Sequence, residues 1–97
     1  MHVAELDTFW KKALSEIELQ ISKANFITWF RNSKLIEKKD GVATVSLPSN
    51  FAKEWVENRY DKVVLGALRD LDDTTKRVEF LVHSKLPKEL LAAPLVN

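Results

Sequence analysis

Apolar residues fall at Leu6, Trp10, Ala13, Leu14, Ile17 and Ile21, the three- and four-residue spacing of one helical face. Asp7 precedes most of this run and predicts an N-cap, so a first helix is expected over about 7–21. Phe9 lies at the edge of that face. Ser22 can cap a second, shorter helix over about 23–31, with Phe26, Trp29 and Phe30 on one side. The period then changes. A strand begins at Leu35, and Val42, Thr44 and Ser46 alternate with Ala43, Val45 and Leu47. Between these segments Asp40-Gly41 predicts a two-residue hairpin, because Gly tolerates the positive φ of a type I′ turn. Pro48 ends the second strand, since it has no N–H for a ladder.

Helical spacing returns with Trp55, Val56, Tyr60, Val63, Val64, Ala67, Leu68 and Leu71. It predicts one long third helix, closed by Asp72-Asp73. Gly66 lies inside it and is expected to mark close packing on another element. Val78, Phe80 and Val82 alternate with Arg77, Glu79 and Leu81, which predicts a third strand. The order is helix, helix, strand, strand, helix, strand. An α+β domain over 1–83 is expected, a three-stranded sheet with helices on one face. Residues 84–97 hold two prolines and no clear period, and are expected to begin a poorly ordered linker.

Composition narrows the function. The chain has 97 residues, 45% of them hydrophobic, enough for a single core. Cysteine is absent, and His2 and His83 do not form a ligand pair, so no metal is expected. No apolar run is long enough to span a membrane and the N-terminus has no signal-peptide pattern, so the expectation is a soluble cytoplasmic protein. Gly41 and Gly66 are the only glycines, so a phosphate loop cannot be built, and no nucleophile–base set can be assembled. Acids alternate with bases in "KEWVENRYDK", as on a solvated face. No enzyme and no cofactor are expected.

Fifteen bases against 14 acids leave a net charge of +1, without the basic excess of a dedicated nucleic-acid binder. Locally, Arg31, Lys34, Lys38 and Lys39 face one acid, Glu37. This stretch reads as a solubilising hairpin, or as a weak contact for single-stranded DNA through Arg31, Lys34 and Lys38. The element order has the look of a KH domain, which clamps a nucleic-acid backbone with a GXXG loop. The corresponding corner here, "ISKANF", has no glycine.

The aromatic residues leave two questions open. Trp29, Trp55 and Phe80 lie on periodic apolar faces and read as core. Phe9 and Trp10 point about 100° apart on a helix, so both cannot be fully buried against one sheet. One is expected in the core, with a shared exposed aromatic edge as the rival reading. Phe51, in the first turn after Ser49 or Asn50, is either core or a handle for a partner.

The stretches "FWKKALSEIE", "NFITWF", "LPSNFAKEWVENRY" and "VEFLV" resemble the N-terminal domain family of the bacterial replication initiator DnaA. The resemblance runs from about residue 6 to 83. It implies a KH-like αα-ββ-α-β fold and a protein-interaction module at the front of a longer chain. Beyond it the family carries a linker, an ATPase domain and a helix-turn-helix domain. The family domain helps recruit the replicative helicase, self-associates at the origin and docks initiation regulators. Weak single-strand binding is also attributed to it, which keeps a KH-like nucleic-acid-binding domain as the alternative. By position, Trp10 with Phe9 falls at the family's self-association contact, and Phe51 at its helicase and regulator contact. Asn25 stands where some relatives carry a glutamate, which removes a charge. Thr28, Trp29 and Ala52 flank the same patch, and Ser49 replaces the usual asparagine while retaining the capacity to cap.

Overall fold

The computed structural model describes residues 3–82. Its elements are α1 (Val3–Glu18), α2 (Lys23–Phe30), β1 (Lys34–Lys39), β2 (Val42–Leu47), α3 (Asn50–Arg59), α4 (Asp61–Leu71) and β3 (Arg77–Val82). The α+β class expected from the periodicity is the one observed. The expected linker, 84–97, lies outside the described residues.

β2 is the central strand, antiparallel to β1 and parallel to β3. The turn between β1 and β2 is the predicted one, with φ of 55° at Asp40 and 81° at Gly41. Gly41 has a second duty. Its carbonyl accepts from the Lys76 and Arg77 amides at 2.6 and 3.2 Å, tying the hairpin to the start of β3. A Cβ on Gly41 would stand 3.0 Å from the Lys76 side chain and 3.1 Å from the Thr74 carbonyl, so both space and φ require glycine. The register shifts between Leu35 and Glu37, a bulge at Ile36 that the alternation did not signal.

Ala43, Val45 and Leu47 point one way from β2 into the core, with Trp10, Ile17, Phe30, Val56, Val64, Leu68 and Phe80. Thr44 and Ser46, on the opposite side of the strand, are buried too. The central strand β2 is therefore buried on both sides, against the expectation of helices on one face of the sheet.

Three local expectations are corrected. α1 begins earlier and ends at Glu18, where i→i−3 bonds from Leu19 to Glu16 and Gln20 to Ile17 tighten the last turn. The long third helix is two helices. Tyr60, at φ −123° and ψ 9°, leaves helical geometry between α3 and α4. No Pro or Gly stands there. Tyr60 packs its ring on Phe30 at 5.8 Å, a contact with a residue distant in sequence. Finally, Gly66 does not mark close packing. A Cβ there would meet nothing within 4 Å.

Candidate functional site

The aromatic face is built by one capped turn. Pro48 ends β2, and the Ser49 side chain accepts from the Ala52 amide at 3.1 Å, satisfying a free donor of the first turn of α3. Phe51 therefore lies in the first turn of α3 and is 68% exposed. Its ring is 5.5 Å from that of Trp29 on α2 and 6.3 Å from Trp55 one turn further along α3. Trp29 and Trp55 stack at 5.0 Å with 22° between their planes. The Arg59 guanidinium stands 4.4 Å over the Trp55 ring, a cation–π arrangement. The Trp55 indole N–H is shielded and has no hydrogen-bond partner.

The result is a triangular cluster of three rings bridging α2 and α3, with Phe51 its most exposed member. Trp29 and Trp55 read from the sequence as core residues. Both are half-buried, and together they form the floor of this surface. Trp55 and Arg59 were not among the expected site residues. Their i, i+4 spacing on a helix was the available signal, because residues so placed are neighbours.

Of the flanking residues, Asn25 and Thr28 are exposed on α2, three positions apart on one side of the helix. The Asn25 backbone amide donates to the Ser22 side chain at 3.1 Å, which is the expected cap of α2. Ser49 is exposed, but its hydroxyl is engaged as a cap. Ala52 is buried and offers the surface little.

The second group of expected residues is separated by the fold. Trp10 is only 3% exposed, a core residue. Its indole N–H donates to the Ser33 hydroxyl at 3.2 Å, and that hydroxyl donates to the Phe30 carbonyl at 2.6 Å. This relay satisfies the indole inside the core and ties α1 to the corner between α2 and β1. The shared Phe9–Trp10 edge is therefore not formed. Phe9 is left half-buried by itself, with the Lys38 ammonium 5.5 Å from its ring centre.

Lys38 is likewise not free for a phosphate. Its side chain is 8% exposed and ion-paired with Asp72. Asp72 also accepts from the Thr74 amide at 3.0 Å and the Thr74 hydroxyl at 2.6 Å. The Lys38 hydrogen bond, followed by those from Thr74, lowers the Asp72 carboxyl from 3.8 to about 2. Of the three bases considered for single-stranded DNA, Arg31 and Lys34 remain exposed. Among the described residues no group of acids or histidines is placed to hold a metal, and no helix is long and apolar enough to cross a membrane.

A comparison with protein-family models matches residues 7–70, well over half of the chain, to the DnaA N-terminal domain. The match stops before β3, the strand that completes the sheet.

Proposed function

The chain belongs to the DnaA N-terminal domain family, a non-catalytic domain of the replication initiator, and on that premise we propose that it is a docking module. In this reading its α2–α3 aromatic face recruits the replicative helicase and receives initiation regulators in the cytoplasm. The observation that supports it most is Phe51, a large aromatic left 68% exposed on a floor of two stacked tryptophans. An exposed ring on a rigid base is the kind of anchor that carries much of an interface's energy. Asn25 and Thr28 supply uncharged polar groups at the rim. Each contact is weak, and several initiators assembled together supply avidity.

The test pairs binding with folding. Phe51→Ala is expected to weaken helicase binding at least about tenfold, the loss of one anchor of roughly 2 kcal/mol. Folding free energy, from denaturant titration, is expected to fall by less than about 1.5 kcal/mol, the scale of an aromatic pair. Unchanged helicase affinity overturns the reading. A stability loss of several kcal/mol would instead make Phe51 a core residue.

Self-association falls to the Phe9 side of α1, because Trp10 offers almost no surface. Sedimentation of Phe9→Ala beside the parent chain at high concentration tests this. The variant should sediment as the lighter species, and identical profiles count against the contact.

A further inference from the structure

A second surface lies on another side of α2. Leu14 of α1 and Phe26, Ile27, Phe30 and Arg31 enclose an open hollow of about 420 Å³, within the roughly 300–1,000 Å³ of ligand clefts. Ile27 is 44% exposed and lies two positions before Trp29, about 200° around the helix. The hollow and the aromatic face therefore use different sides of α2.

On the α2 side of the hollow the charge is one-signed, while Glu18 lies one turn from Leu14 on α1. Residues 19–36 contain Lys23, Arg31 and Lys34 and no acid, although the whole chain is nearly neutral. All three bases are exposed. Among the described residues none of the three takes part in an ion pair. Lys23 opens α2 with no acid in the first turn, where the helix dipole adds to its charge.

We propose that this hollow is a docking site for an acidic amphipathic helix of a partner protein. Aliphatic side chains of that helix fill the space between Leu14 and Ile27, and a carboxylate beside them meets Arg31. Charge complementarity selects this occupant. A nucleic-acid strand would use the same bases but needs open ring faces for stacking. Phe30 is fully buried here, and Phe26 is half-buried with its ring stacked on Phe30 at 6.0 Å.

The probe is a helical peptide of about 18 residues, leucines on one face and glutamates on the other. It is titrated into the isotope-labelled chain while amide chemical shifts are followed. Shifts should centre on Leu14, Ile27 and Arg31. A peptide with lysine in place of glutamate should bind at least about tenfold more weakly. Ile27→Glu should abolish the shifts with little change in melting temperature. Arg31→Glu should weaken binding most at low salt. Phe51→Ala should leave binding unchanged, which separates this site from the aromatic face. Four outcomes overturn the proposal: no shift at the hollow at millimolar peptide; shifts confined to Phe51 and Trp55; the same shifts on raising the chain's own concentration, which indicates a second copy; or shifts produced by oligothymidine while the glutamate peptide is inert.

Discussion

Phe51 and Trp10 are both large aromatics on helices, and the fold assigns them opposite roles. Trp10 has an acceptor in the core, the Ser33 hydroxyl, so its polar edge does not need water. Phe51 has no polar edge and rests on other rings at a corner, where half its surroundings are solvent. Lys38 shows how a neighbour redirects a charge. Read alone it is a candidate phosphate contact, yet Asp72, thirty-four positions away, holds it. That pair gives a pH signature. The folded-state value of Asp72 lies below its unfolded value, so its contribution is fully present above about pH 4 and is lost as pH falls towards about 2. Denaturant midpoints of the parent chain and Asp72→Asn should differ by a constant amount near neutral pH. The gap should narrow between about pH 4 and pH 2. A pH-independent gap across that window would show that the carboxyl does not titrate with folding.

Among the elements, the α3–α4 break shows where periodicity fails. The apolar spacing across Tyr60 is continuous, because both helices face the same core, and a change of direction leaves the repeat intact. Strand β1 shows the same failure at its bulge, since one extra residue at Ile36 is a pairing property and not a composition signal. Gly66 is the reverse case. Its sequence position implied a neighbour, but the structure leaves open space there. Gly66→Ala should therefore stabilise the chain by about 0.5–1 kcal/mol, from the lower backbone entropy of the unfolded state. On a domain this size a full kcal/mol raises the melting temperature by roughly 4–8 °C. Calorimetry showing a lower melting temperature would mean a tight contact at that site.

At the scale of the whole molecule, the sheet closes only with its last strand. β3 pairs in parallel with the central strand and buries Phe80 and Val82. Burial of side chains of this kind is worth about 1.5–3 kcal/mol each, against a total stability of about 5–15 kcal/mol. A chain truncated at residue 72, near the end of the family match, should lose its cooperative melt and expose β2. One ending at residue 83 should keep it. Circular dichroism melts of the two chains decide this, and a cooperative transition in the shorter one would make β3 dispensable.

How much was legible follows from the range of the interactions. Periodicities, the Ser22 and Ser49 caps and the Asp40-Gly41 turn act within a few residues, so the sequence by itself determined the element types, the hairpin and the position of Phe51 in a first turn. Its motif spacings also carried the family. Which aromatic is wet, which lysine is spent and where the long helix bends depend on pairs far apart in the chain. Trp10 is withdrawn by Ser33, Lys38 by Asp72 and Tyr60 by Phe30. Trp29 and Trp55 meet across α2 and α3, twenty-six positions apart in the chain, and stack on each other. Only the tertiary structure decided these, because burial and charge pairing are properties of neighbours in space.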